Sequence, residues 1–348
     1  MFRKTKSILG LDLGSQSIKA VEISLDGTEP VITGFACTEI APGTDREEAL
    51  AELLVEGHFR TRGVVTSVAG QSVVVRYITM VEMSDSELRQ AIRFESDKYL
   101  PFDADEIVLD CQRLRRRPRA GGEAGSDQMS VVLAACRTSV IDQQMEDVVR
   151  HGLTPRAVDV EVFALANAWE LVSLPELDLE DEEEERVLAL VDVGASRTQI
   201  NVLAGSETCF SREIGIGGSD MTQAVARRLG VDVVEAEAVK RRPEDREAEV
   251  ARAIGPVLED LVSELSLSLD YVENREGLHV DEVLLSGGAV HAPGLVSFVE
   301  QGTGRPARTW NPIGGLRVVS DRVDLDALEE SAPSLAVAIG LAARVCAA

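Results

Sequence analysis

Two stretches of this chain repeat one another, and that repeat limits the fold more than any other feature. Leu9-Gly10-Leu11-Asp12-Leu13-Gly14-Ser15-Gln16-Ser17-Ile18-Lys19 and Leu190-Val191-Asp192-Val193-Gly194-Ala195-Ser196-Arg197-Thr198-Gln199-Ile200 share one order. Each runs apolar strand, Asp, apolar residue, Gly, small residue, hydroxyl residue, then a second alternating strand. The two aspartates stand about half the chain apart, so each half is expected to open on the same hairpin. Two such hairpins facing each other can grip a polyphosphate. Glycines let backbone come close, turn N–H groups donate to anionic oxygen, and Asp12 and Asp192 can each hold a hydrated Mg²⁺. A third element fits the same purpose. Asp281-Glu282-Val283-Leu284-Leu285-Ser286-Gly287-Gly288-Ala289 reads as a strand ending in a double glycine, with Pro293 expected near the first turn of a helix. Gly287 and Gly288 would let a flat base lie against bare backbone; taken alone, they are an ordinary strand-to-helix turn.

Charge narrows the partners. The chain carries 60 acidic against 35 basic residues, a net charge of −25. That balance argues against a nucleic-acid binder, which needs a concentrated basic surface. The run Arg115-Arg116-Arg117-Pro118-Arg119-Ala120-Gly121-Gly122 has no interleaved aromatic residue and is expected to be a solvated hairpin loop. Hydrophobic residues make up 45% of 348, enough for a large core. No apolar run reaches the roughly 18 to 20 residues needed to span a bilayer. Five scattered cysteines (Cys37, Cys111, Cys136, Cys209, Cys346) form no CxxC pair, which points to a reduced, cytoplasmic setting without a disulfide framework.

Along the chain, strands are expected over 7–13, 18–24, 31–40 and 63–69, with a short helix over 47–59 between the last two. This is a mixed α/β pattern. A second unit is expected from Ser84, where Ser84-Asp85-Ser86-Glu87 forms a capping box ahead of a helix limited by Pro101. Paired strands over 107–114 and 129–135 follow, then a helix over 139–150 closed by His151-Gly152. The acidic run 180–185 repels itself and reads as a loop or linker between halves. Beyond it, Ser219 and Asp232 are expected to cap helices. The stripe Val250, Ile254, Leu258, Leu261, Leu265, Leu269, Val272 is expected to be buried core rather than a coiled-coil seam.

The three glycine motifs, in this order, resemble the phosphate-1, phosphate-2 and adenosine motifs of the actin-like ATPase superfamily. Further stretches narrow the likeness to the PilM family. They are Ser211-Arg212-Glu213-Ile214-Gly215-Ile216-Gly217-Gly218, Glu235-Ala236-Glu237-Ala238-Val239-Lys240, Leu88-Arg89-Gln90-Ala91-Ile92-Arg93-Phe94-Glu95 with Tyr99-Leu100-Pro101-Phe102, Gly152-Leu153-Thr154-Pro155 leading to Val158-Asp159-Val160-Glu161, and the closing 332–342. Val81 stands where PilM-like chains usually have proline.

The resemblance implies two α/β domains closing over a nucleotide cleft, with an FtsA/PilM-type inserted 1C subdomain. Residues 1–83 would begin subdomain 1A, 84–153 form 1C, 154–186 return to 1A and the acidic linker, and 187–348 form domain 2, with a C-terminal helix returning to 1A. ATP with Mg²⁺ is the implied cofactor. The implied contacts are Asp12, Gly14, Ser15, Gln16 and Lys19 in the first motif, and Asp192, Gly194, Ala195, Ser196 and Thr198 in the second. Gly217, Gly218, Gly287 and Gly288 complete the cradle, with Asp12 and Asp192 on the metal through water. Glu237 and Lys240, three apart on one helix face, would touch the ribose or form a surface ion pair. Lys19 would reach a phosphate oxygen or face solvent.

Phosphoryl transfer to a substrate needs a placed base, and 68–73 offers no carboxylate, so slow or absent hydrolysis is expected. Gln71 there would orient a water or lie plainly on the surface. The likeness further implies a cytoplasmic member of the type IV pilus platform, peripheral at the inner membrane. It would hold the N-terminal peptide of a PilN-like inner-membrane protein in a 1A/1C groove. The alternatives are an FtsA-like division protein, for which the closing 340–348 lacks a cationic amphipathic anchor, and a sugar or acyl-phosphate kinase.

Overall fold

The computed structural model describes residues 6–41, 43–115, 128–173, 186–319 and 321–346. The acidic run 180–185 and all of the basic run but Arg115 lie outside them.

The opening residues form an antiparallel meander, β1 (Ser7–Leu13), β2 (Ser17–Asp26) and β3 (Glu29–Glu39), with β1 covered on both faces. Helix α1 (Arg46–Glu56), capped by Asp45, then crosses to β4 (Gly63–Val68), which runs parallel to β1. The next segment, β5 (Val73–Val81), α2 (Asp85–Glu95), β6 (Ile107–Arg113) and β7 (Gln128–Arg137), makes a separate three-stranded sheet of order β5-β7-β6. The Ser84–Glu87 capping box forms as expected. This sheet nevertheless takes in Val73–Val81, ahead of Ser84. Val81 is its last rung, paired with Gln128 on the edge strand of the sheet. Helix α3 (Thr138–Arg150) and β8 (Thr154–Val160) bring the chain back, β8 lying parallel to β4, and α4 (Glu161–Ser173) follows.

The second half repeats the first. Its meander is β9 (Val187–Val193), β10 (Thr198–Ala204) and β11 (Glu207–Ile214), followed by α5 (Gly218–Leu229), α6 (Val233–Arg241) and α7 (Glu247–Glu276). Then come β12 (Glu282–Ser286), α8 (Leu295–Thr303), β13 (Ala307–Thr309), β14 (Arg317–Val318), α9 (Leu325–Ser331) and α10 (Ala336–Ala342). The two large sheets have matching order: β3-β2-β1-β4-β8, with β14 added at its edge, and β11-β10-β9-β12-β13. In each, three antiparallel strands are continued by two parallel ones.

Alternate residues along each central strand enter different cores, which builds a layered body. Leu9 and Leu11 pack with Leu50 and Leu53 of α1 and Val148 of α3. Ile8 of the first sheet and Leu188 and Leu190 of the second share a middle layer with Leu165 of α4 and Ile339 and Leu341 of α10. Val191 and Val193 face the outer layer, where all seven residues of the α7 stripe are buried. The middle helices approach closely: a Cβ on Gly340 of α10 would stand 1.7 Å from the Ala164 carbonyl oxygen of α4. A smaller core of Leu88, Ile92, Met129, Val131 and Leu133 holds the three-stranded sheet. β1, β9 and β12 are thus covered on both faces, and their carboxyl ends carry Asp12, Asp192 and Ser286.

Candidate functional site

The repeat is exact in register. Asp12 of β1 lies opposite Lys19 of β2, and Asp192 of β9 opposite Gln199 of β10. Lys19 Nζ meets Asp12 Oδ2 at 2.9 Å, so it does not face solvent. Asp192 Oδ1 accepts a hydrogen bond from Ser286 Oγ at 2.9 Å, because β12 runs parallel to β9 with Ser286 beside Asp192. The two turns meet across the cleft: Ser15 and Ser196 hydroxyls are 3.3 Å apart, and Gln16 Nε2 donates to Ser219 Oγ at 2.8 Å.

The second turn is braced from behind. The Gly218 N–H donates to the Gly194 carbonyl at 2.9 Å and the Ser219 N–H to that of Ala195 at 2.8 Å. Thr198 Oγ1 donates to the Ile216 carbonyl at 2.8 Å. The cap of α5 is Gly217, whose N–H donates to the Asp220 carboxylate at 2.9 Å, and not Ser219 as expected. Ser219 is drawn into the first helical turn because its N–H is held by the glycine turn. Gly287 (φ 96°) closes against this turn; a Cβ there would lie 2.4 Å from the Val193 carbonyl oxygen, whereas the space before Gly288 is open. Pro293 lies near the first turn of α8 as expected, two residues ahead of it in the turn that ends at Gly294 (φ 83°).

Glu237 and Lys240 pair at 2.7 Å, but Lys240 is only 6% exposed, so this is no surface ion pair. Its ammonium also donates to the Gly218 carbonyl at 3.0 Å and Thr222 Oγ1 at 2.8 Å, which fills its three donors. Burial pulls the Lys240 pKa down against the pull of Glu237. Asp232 caps α6 by accepting from the Glu235 N–H at 2.8 Å.

Sequence reasoning missed one residue. Val68 and Val160 are partners on the parallel strands β4 and β8, so Glu161, one residue on, stands beside the Ala69–Gly70 turn. The carboxylate absent from 68–73 is thus supplied by the neighbouring strand's end. A strand that closes on an acid before a helix, as Val158-Asp159-Val160-Glu161 does, was the available signal; Asp12 and Asp192 occupy like positions on β1 and β9. Gln199 Nε2 reaches Glu161 Oε2 at 3.2 Å. Gln71 lies exposed in the turn.

Buried Asp12 and half-buried Asp192 therefore act on the Lys19 ammonium, and half-buried Glu161 feels both carboxylates. Burial, then the Asp12 charge, pushes Glu161 up to about 7 despite Arg197, with Asp192 adding to the rise. Burial raises Asp192 to about 6 against Lys19 and the Ser286 hydrogen bond. Burial would lower Lys19, but Asp12 and then Asp192 carry it up to about 12. Such an excess of acid suits a divalent cation. Among the described residues no three His, Cys, Asp or Glu side chains are placed to hold a metal directly. The donor set instead fits Mg²⁺, which keeps several waters and takes one or two carboxylates. A groove of about 530 Å³ between α7 and α8, lined by Glu259, Leu267 and Phe298, shares no residue with this cluster.

A family model described as type IV pilus assembly protein PilM matches residues 10–346. The solved PilM–PilN type IV pilus biogenesis complex contains a chain 31% identical to this one, with a TM-score of 0.83 over 97% of this chain and 98% of that one. Ethanolamine utilization protein EutJ from Carboxydothermus hydrogenoformans is 15% identical, with a TM-score of 0.55 over 99% of this chain and 90% of that one, a likeness of fold.

Proposed function

The chain belongs to the type IV pilus assembly protein PilM family and has the actin-like ATPase fold, and from that premise we propose that it is a nucleotide-binding scaffold of the pilus assembly platform. The observation that carries this is the meeting of two carboxylate-bearing hairpins in one register, Ser15 against Ser196. ATP with Mg²⁺ is assigned to the cleft between them. Asp12 and Asp192 hold the cation through its water, and Lys19, which neutralises Asp12, turns to the phosphates. Gly14, Ser15 and Gln16 form one side of the cradle; Gly194, Ala195, Ser196 and Thr198 form the other, backed by Gly217 and Gly218. Gly287 and Gly288 face the base. Lys240 is already saturated, so ribose contact falls to Glu237, and Lys240 ties α6 to α5. Asp12 and Asp192 would face the Mg²⁺, whose positive charge would offset theirs. Glu161 is positioned to take a proton from water, which allows slow turnover without a second substrate.

The partner assigned is the N-terminal cytoplasmic peptide of a PilN-like inner-membrane protein, held between the three-stranded unit and the first large sheet. That partner places the chain at the cytoplasmic face of the inner membrane. Among the described residues no helix is long and apolar enough to cross a membrane itself. Fluorescence anisotropy of a labelled synthetic peptide of this kind should show saturable binding to the purified chain. An unchanged signal, with peptide and protein both intact, would remove the scaffold reading.

A further inference from the structure

Glu213 of β11 ties the second hairpin to a turn that lies 143 residues earlier in the chain. Its Oε2 accepts from the Gly70 N–H at 2.8 Å and from Gln199 Nε2 at 2.8 Å, and Arg197 Nη1 stands 3.5 Å away. Gly70 opens the turn that leads from β4 into the three-stranded unit, its carbonyl accepting from the Val73 N–H of β5 at 2.9 Å. Gln199 is the register partner of Asp192 and also reaches Glu161, so its amide nitrogen lies between two carboxylates. Arg197 belongs to the turn that grips in the second hairpin. From Glu213 the seam continues outward: Tyr77 OH of β5 bonds Ser211 Oγ of β11 at 3.1 Å, and the Arg115 N–H donates to Glu207 Oε1 at 2.5 Å.

We propose that Glu213 is a positioning residue that couples occupancy of the nucleotide cleft to the three-stranded unit. The proposal rests on the nucleotide reading above. Its physical basis is competition for donors. An anion seated at 194–197 offers Arg197 a second acceptor, and the 3.5 Å contact to Glu213 is the loosest of the three. Arg197 lies directly on Gly70, where a Cβ would come within 2.8 Å of its Nη1 and where φ is +86°. A glycine in that left-handed region turns at little steric cost, so movement of Arg197 releases the turn that launches β5. Reorientation of Glu161 toward the cleft likewise frees one hydrogen of the Gln199 amide and strengthens its hold on Glu213. Both changes act on one carboxylate that also holds Gly70, which makes the carboxylate a shared element biased from two sides.

Hydrogen–deuterium exchange of the whole chain, with and without Mg·ATP, tests this. The wild type should show a nucleotide-dependent change over 70–81. Glu213→Ala should keep its melting shift with Mg·ATP yet lose that change. Glu213→Gln keeps a carbonyl acceptor for Gly70 and serves if the alanine variant does not fold; it should show a reduced change. A merely structural role would alter basal exchange but leave the nucleotide-dependent difference. The proposal is overturned if either folded variant retains the full difference, or if the wild type gains a melting shift with no change over 70–81. A wild type with no melting shift at all would instead remove the nucleotide reading, and the coupling with it.

Discussion

Glu161 and Asp192 hold the site's acid chemistry, and the direction of their shifts fixes how the chain responds to pH. Folding raises Glu161 from its usual 4.5 to about 7 and Asp192 from 3.8 to about 6. In both, the fold favours the neutral form. Their contribution to stability is full below about pH 4 and is lost as pH rises through 6 and 7, where the unfolded chain ionises freely and the folded one does so at a cost. Each group is worth on the order of 2–3 kcal/mol across that window, and the two are not additive because they face each other through Asp12. Glu161→Gln removes one charge while keeping an oxygen for Gln199. Its melting temperature at pH 8 should exceed that of the wild type by several degrees, with the two converging near pH 4. A difference independent of pH would show that the charge is not what costs the fold. If Glu161 takes the proton from water as proposed, the same variant should also turn over ATP more slowly.

Helix α7 shows what a sequence can carry at the scale of an element. Seven apolar residues at steps of four and three lie on one face, and all seven are buried. Leu261→Ala at the centre of that face should cost about 3 kcal/mol and lower the melting temperature accordingly; a cost below about 1 kcal/mol would mean that the site collapses around the smaller side chain. Local signals of this kind were legible throughout: the hairpin repeat, the Ser84–Glu87 box and the strand pairs 107–113 and 128–137. What escaped them was non-local. Val73-Val74-Val75 lacks alternation, and its membership of the three-stranded sheet depends on pairing with β7, some sixty residues on. Glu161 reaches the site only because β8 lies beside β4. Gly217 replaces Ser219 as a cap because Gly194 and Ala195 claim the next two N–H groups. Of the two readings of Glu237 and Lys240, the surface ion pair fails because nothing in α6 itself says that α5 covers Lys240.

At the scale of the molecule, two sheets of one topology place their first strands' carboxyl ends face to face, where open α/β sheets bind ligands. The halves are alike in register and unlike in charge: Lys19 opposes Asp12, and the neutral Gln199 opposes Asp192. That asymmetry leaves an acid unbalanced in the cleft, which a divalent cation would offset. Melting curves of the purified chain with Mg·ATP, with ATP alone and with Mg²⁺ alone, alongside Asp12→Ala, test this most directly. Mg·ATP at about 100 times its Kd should add about 2.7 kcal/mol, a rise of several degrees, and the variant should lose it. An unchanged melting temperature at saturating Mg·ATP, or an equal rise in Asp12→Ala, would contradict the account.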